Sequence, residues 1–303
     1  MRLFPVLMIL MVISCFVSCD RSPVPGFSSS AYMDSIAAWQ QGRARELTSP
    51  DGWLALTGRY WIKEGVQSFG SGRGNQIIFP RGTSPDTVGF IVQKDDQVTI
   101  RIQEGVDVQC EGQPVREVSM TTDRDGIPTY LTLGSLKWHI IKRGHRFALR
   151  LIDHESKILR EFRGVEYFPV DPSWCLQADF IPYDPPKLLP IATVIGTIDT
   201  MTAPGYLSFK LHRKTYRLDP VQEPGSESLF IIFADETTGM ETYGGGRFID
   251  APPPDGNRHV ILDFNKAYNP PCAFTEFATC PLPPDQNKLP VSITAGEKVY
   301  SEH

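Results

Sequence analysis

The run Leu136-Lys137-Trp138-His139-Ile140-Ile141-Lys142-Arg143-Gly144-His145-Arg146-Phe147-Ala148-Leu149-Arg150-Leu151-Ile152 decides the fold. Two stretches rich in β-branched, aliphatic and aromatic residues, Leu136 to Lys142 and Phe147 to Ile152, flank Arg143-Gly144, a turn signal, and read as a β-hairpin. Similar short runs precede it: Tyr60 to Lys63, Gln76 to Phe79, Val88 to Gln93, Gln97 to Ile102 and Tyr130 to Leu133, with Lys94-Asp95-Asp96 as another hairpin loop. Strands at this spacing, broken by Gly, Pro and Asp, predict a sandwich or barrel. A second series follows: Ile191 to Ile198, Tyr206 to Leu211, Thr215 to Leu218, Leu229 to Ala234, Arg247 to Ile249, His259 to Phe264 and Leu289 to Ile293. Between the two lies Tyr167 to Pro190, whose six prolines suggest an extended connector. One helix stands out, capped by Ser29 or Ser30 and running to about Leu47, with Tyr32, Ile36, Trp39 and Leu47 on one side and Arg43, Arg45 and Glu46 on the other.

The expected fold class is therefore mainly β: two antiparallel β domains, the first sandwich-like, with one N-terminal helix. The expected boundaries are 1–18 signal peptide, 19–30 tether, 31–166 helix plus first β domain, 167–190 connector and 191–303 second β domain. The 303 residues, 25 of them glycine and 26 proline, fit turn-rich β architecture with enough apolar residue, 41%, for a packed core. Thirty basic against 35 acidic side chains give a net charge of -5, which leaves no basic excess for a phosphate backbone and argues against nucleic acid as a partner.

Met1-Arg2, the apolar run Leu3 to Val17, and Ser18-Cys19 form a secretory signal too short to span a bilayer. A small residue before Cys resembles a bacterial lipoprotein signal and predicts acylation of Cys19, a membrane-lipid partner and a location in the bacterial cell envelope, facing periplasm or exterior. Val12-Ile13-Ser14-Cys15 fits the same pattern with a shorter apolar region, and a plain secretory signal is the alternative. Cys110, Cys175, Cys272 and Cys280 remain. Cys272 and Cys280 share one proline-rich loop, so a local disulfide is the simplest pairing, with two free thiols as the alternative. No Cys or His spacing suits a metal, and no cofactor is expected.

Residues of chemical interest concentrate in the second series. Thr242 to Arg247 offers three glycines whose amides can cradle an anion, Tyr243 beside them and Arg247 as a bidentate fork. The alternative is a glycine-rich turn with Arg247 paired to a structural carboxylate. Asp263 and Asn265 are two apart, on the same side of a strand end, with Tyr268 and Asn269 at the following turn. They either bind a polar ligand or satisfy loop backbone. Glu297 is a candidate partner for Arg247 or a second carboxylate for acid–base work. Cys272 has no histidine near it in sequence to activate it as a nucleophile. Nucleotide and hydrolase signatures are absent: Gly70, Gly72 and Gly74 lead into a strand rather than a helix, and there is no nucleophile elbow.

Gly58-Arg59-Tyr60-Trp61-Ile62-Lys63-Glu64-Gly65, Thr242-Tyr243-Gly244-Gly245-Gly246-Arg247-Phe248, Leu262 through Asn269-Pro270-Pro271-Cys272-Ala273-Phe274, and Cys280-Pro281-Leu282-Pro283-Pro284 to Ala295-Gly296-Glu297-Lys298 resemble the bacterial and archaeal family named domain of unknown function 1684. That resemblance implies an architecture and points to a region without implying a reaction. Within the first domain, Phe69-Gly70-Ser71, Asn75 to Pro80, Ser84, Gly89 to Ile91 and Val98 to Ile100 are similar to the core of a forkhead-associated sandwich. Ser71 stands where that family has an arginine, and no histidine follows Ser84, so the likeness implies the sandwich without its phosphopeptide.

The expectation is a lipid-anchored envelope protein binding a small polar or anionic ligand through Tyr243, Arg247, Asp263, Asn265, Tyr268, Asn269 and Glu297. The alternatives are a hydrolase using Asp263 or Glu297 with Arg247, and a structural envelope component.

Overall fold

The computed structural model describes residues 29–222 and 225–300. The expected signal peptide, the expected acylation site Cys19 and the expected tether up to residue 28 lie outside the described residues. A helix, α1 (Ser29–Leu47), precedes eleven strands: β1 (Leu56–Trp61), β2 (Gly65–Gly70), β3 (Ile77–Ile78), β4 (Gly89–Lys94), β5 (Gln97–Ile102), β6 (Gln109–Cys110), β7 (Gln113–Pro114), β8 (Glu117–Met120), β9 (Leu131–Leu133), β10 (Leu136–Arg143) and β11 (Arg146–Asp153). They form two sheets, ordered β1-β11-β10-β9-β6-β7 and β3-β2-β4-β5-β8. Pairing is antiparallel except between β2 and β3.

Alternation along the deciding hairpin explains the sandwich. Leu136, Trp138 and Ile140 of β10 and Phe147, Leu149 and Leu151 of β11 point inward, where they meet Phe69, Ile91, Val98 and Ile100 of the other sheet. Gly144 makes the turn at φ +57°, which an L side chain resists. The first sheet is buried on both faces. Its outer face, including Leu56 and Ile152, packs with Ile191, Val221, Ile232, Phe248, Ala278 and Cys280 of the C-terminal unit.

After a one-turn helix, α2 (Lys157–Glu161), capped by the Ser156 hydroxyl, come β12 (Cys175–Ala192), β13 (Ile198–Leu211), β14 (Lys214–Leu218), β15 (Leu229–Phe233), β16 (Arg247–Ala251) and β17 (His259–Asp263). They build a four-stranded sheet, β14-β13-β12-β17, and a β15-β16 ribbon around a second core of Leu207, Phe209, Ile231, Phe233, Leu262 and Phe264. Both β units expected from sequence are present.

Two details differ from the sequence reading. Most of the supposed connector is β12, an 18-residue strand at the centre of the second sheet. Pro185 and Pro186 fit because pairing with β13 is interrupted between Pro182 and Lys187, where no ladder amide is needed. The helix, grouped with the first β domain in the sequence-based boundaries and expected to pack on both units, makes its apolar contacts with the C-terminal unit: Tyr32 and Ile36 meet Cys175 and Ile261, and Leu47 meets Phe274. Arg43, expected on the outer side, is only 6% exposed and faces inward with Ile36 and Leu47, as spacings of seven and four residues on a helix require.

Candidate functional site

The structure disperses the sequence-predicted ligand residues into closed networks. Arg247, on β16, is fully buried and donates to Asp235 Oδ2 at 2.8 Å and to the carbonyls of Ile293 (2.9 Å), Glu297 (3.3 Å) and Ala295. Burial lowers its pKa and the Asp235 carboxylate opposes the shift. Gly246, at φ +82°, forms the tight turn before it, where an added Cβ would collide with Phe233 O and Pro283. The glycine-rich loop is thus a structural turn, and Arg247 a clamp on the 293–297 segment.

Asp263 Oδ1 accepts from the Tyr32 hydroxyl (2.8 Å) and from the backbone amide of Asn265, whose side chain also donates to Tyr32 Oη and Asp171 O. Glu297, fully buried, accepts from Arg43 Nε (3.2 Å), the Asn269 amide (2.7 Å) and the Tyr167 hydroxyl (3.4 Å). Burial raises the pKa of both carboxylates. Tyr268 donates to Asp250 and lies under Arg43, 4.6 Å from ring centroid to guanidinium carbon. Asn269 and Glu297 meet, as do Asp263 and Asn265, but Arg247 reaches Glu297 only at its main-chain oxygen. Among the described residues no open pocket joins all seven: most of the side chains serve buried backbone or a buried charge, Arg247 Nε and Asn269 Oδ1 are buried without a partner, and Tyr268 reaches the surface beside Arg43 and Asp250.

An open cleft of about 690 Å³ lies elsewhere, between the outer face of the first sheet and the C-terminal unit. Arg143 and Arg150 from the hairpin, Asp123 and Arg124 from the preceding loop, Asp199 and Thr202 from β13, and Thr279 and Cys280 face into it. Two of its arginines are paired: Arg143 with Asp123 (2.6 Å) and, through Nε, with the Thr279 hydroxyl; Arg124 with Asp199 (3.8 Å). Among the described residues Arg150 has no carboxylate partner within ion-pair distance, and burial together with the nearby Arg143 charge lowers its pKa to about 10.

Register places Arg150 between two other basic residues. It lies opposite Arg59 on β1 and opposite His139 on β10, so Arg59, Arg150 and His139 form a row across the outer face. Six side-chain polar atoms among the described residues are buried without a hydrogen-bond partner, and three of them are Arg59 Nε, Arg150 Nε and His139 Nδ1. Such groups are costly unless something satisfies them. Burial, and then the charge of Arg150, depress the His139 pKa to about 4 from an ordinary 6.5. Because that pKa falls on folding, the stabilising contribution of neutral His139 is complete above pH 6.5 and is lost as pH drops towards 4. The expected loss is on the order of 3 kcal/mol. It is measured as unfolding free energy between pH 7 and 4, and His139→Leu should flatten this part of the profile; an unchanged slope would refute the assignment.

Sequence reasoning missed this row. Its signal was a charge inside an otherwise apolar run, Phe147-Ala148-Leu149-Arg150-Leu151-Ile152, which marks a strand with both faces covered.

Cys280, which lines the cleft, adjoins Cys272, and both are free thiols. The Cys272 amide donates to Cys280 Sγ (3.1 Å) and the Cys280 amide to Cys272 Sγ (3.3 Å). A hydrogen bond from the Cys280 thiol, aided by the Cys280 amide, Arg59 and Arg150, lowers the Cys272 pKa, while the Cys272 sulfur raises that of Cys280. Tyr243 donates to the Cys272 carbonyl at 3.1 Å. No group of three or more His, Cys, Asp or Glu suited to a metal occurs among the described residues.

Fold and site define a mainly β protein of two packed units with a basic cleft between them. Residues 160–298 match the family described as protein of unknown function (DUF1684), and the chain belongs to that family. The matched segment coincides with the C-terminal unit and excludes α1 and the sandwich. Similar solved structures include a solution NMR structure of an uncharacterized protein from Haloarcula marismortui, 32% identical, covering 48% of this chain and 80% of that one, with a TM-score of 0.41. No match was found among curated proteins.

Proposed function

We propose that this is a lipid-anchored envelope protein, held by acylated Cys19, which binds a small anionic ligand in the cleft between its two β units. The unpaired Arg150 guanidinium, between Arg59 and His139 and open to a cleft whose carboxylates are already engaged, carries the reading. A carboxylate or phosphate fits a guanidinium fork bidentately and would offset its desolvation. Arg143 and Thr279 supply further donors. The hydrolytic reading finds no support, since Asp263 and Glu297 are engaged inside the protein, away from the cleft.

The test is thermal unfolding with inorganic phosphate or citrate. Saturation at about 100 times Kd stabilises the wild type by roughly 2.7 kcal/mol. Arg150→Leu is expected to abolish that gain while leaving ligand-free stability unchanged or higher, because it removes a desolvated, unpaired charge. A gain that survives the substitution would place binding elsewhere. Membrane fractionation of wild type against Cys19→Ala tests the anchor, which predicts release of the variant.

A further inference from the structure

We propose that Cys272 and Cys280 form a dithiol–disulfide couple beside the cleft, with the partly exposed Cys272 as attacking thiolate, Cys280 as resolving thiol, and a small carboxylate-bearing disulfide as oxidant. Geometry carries the assignment. The two sulfurs are neighbours, each accepting the other residue's amide, so closing a bond between them needs little rearrangement of the loop. Cys272 is partly exposed, whereas Cys280 is 4% exposed, the usual division between an attacking and a resolving thiol.

The charged and titratable groups around them favour the thiolate at Cys272. Arg59 from β1 and Arg150 from β11 are both positive; the Cys280 thiol donates to Cys272; Tyr243 stays protonated, its pKa raised by burial. Glu276, near Arg59, favours the charged form of that guanidinium.

The steps balance. Cys272 S⁻ attacks one sulfur of the small disulfide R–S–S–R, forming Cys272–S–S–R and releasing RS⁻, which takes a proton from solvent. Cys280 then loses its proton to solvent, and its sulfur attacks Cys272 Sγ, releasing the second RS⁻. Two protein thiols are oxidised by two electrons and one disulfide is reduced to two thiols. Only the choice of an anionic disulfide rests on the cleft reading above.

The test treats the reduced full chain with 5,5′-dithiobis(2-nitrobenzoate), an anionic disulfide, and with neutral 2-hydroxyethyl disulfide, and locates modification by peptide mass spectrometry. The expectation is that Cys272 reacts first, roughly tenfold or more faster than Cys110, with half-maximal rate at a pH below that of an ordinary thiol. Two small thiols are then released per chain as the 272–280 disulfide forms. Cys280→Ser should stop at a stable mixed disulfide on Cys272 after releasing one. Equal rates with both reagents would support the couple while removing the arginine contribution to substrate choice. Reaction at Cys280 first, no reaction of the folded chain with either reagent, or a bridge that a small dithiol reduces only after unfolding would overturn the proposal. The order of modification in the wild type needs no variant to fold.

Discussion

Replacing Arg247 with alanine is expected to lower the unfolding free energy by about 3–5 kcal/mol, the usual cost of stranding one partner of a buried ion pair. The Asp235 carboxylate would keep only its bonds from the Thr237 amide and hydroxyl and a longer one from the Ile293 amide, with no positive charge beside it. The carbonyls of Ile293, Ala295 and Glu297 would also lose their common donor. Denaturant unfolding measures the loss. Arg247→Lys should recover little, because a single ammonium lacks the planar reach to span a carboxylate and three carbonyls. Asp235→Asn combined with Arg247→Met should cost less than the sum of the separate changes. A loss below about 1 kcal/mol for Arg247→Ala would contradict the clamp and return Arg247 to the list of ligand residues.

Arg43→Ala should have an effect of similar size, about 3 kcal/mol or more, by a related route. Arg43 joins the helix to Glu297 and to Asn269 O, and its removal leaves a fully buried carboxylate without its counter-charge. Glu297→Gln is the informative companion: the amide oxygen can still accept from the Asn269 amide, and the lost charge no longer needs Arg43. The double variant is therefore expected to be more stable than Arg43→Ala alone. Hydrogen exchange locates the damage, with protection lost first along α1 because Tyr32, Ile36 and Leu47 are its remaining principal attachments. Unaltered protection in Arg43→Ala would show that the apolar contacts alone hold the helix.

Local patterns predicted local structure well. The alternation of Trp138 and Ile140, and of Phe147, Leu149 and Leu151, announces strands, and Asp95 and Gly144 announce hairpin turns, because those signals act over a few residues. What α1 packs against was not legible, since its partners Asp263 and Glu297 lie more than 200 residues away and only the fold brings them near. For the same reason Arg43 passed for a surface residue. Pro185 and Pro186 concealed a central strand by falling where its ladder is interrupted. The polar residues of the C-terminal motifs were correctly singled out as unusual, but sequence does not distinguish a side chain that satisfies buried backbone from one that awaits a ligand. The basic row depended on the register of β1, β11 and β10, and β1 is nearly ninety residues from its neighbour β11.

The docking of α1 bears on how the molecule would stand on a bilayer if Cys19 carries the proposed lipid. With the lipid on Cys19, as proposed, about ten residues separate the acyl chains from Ser29, a leash of at most roughly 35 Å when fully extended. Tyr32, near the start of the helix, sits against Asp263, Asn265 and Cys175, whereas Leu47, about 22 Å further along at 1.5 Å per residue, approaches Leu54 and the entry to β1. On that proposal the chain enters α1 at the end that packs on the C-terminal unit, so this unit would lie nearer the headgroups than the sandwich. Anionic ligands and small disulfides would then reach the seam between the units from the side, along the membrane plane.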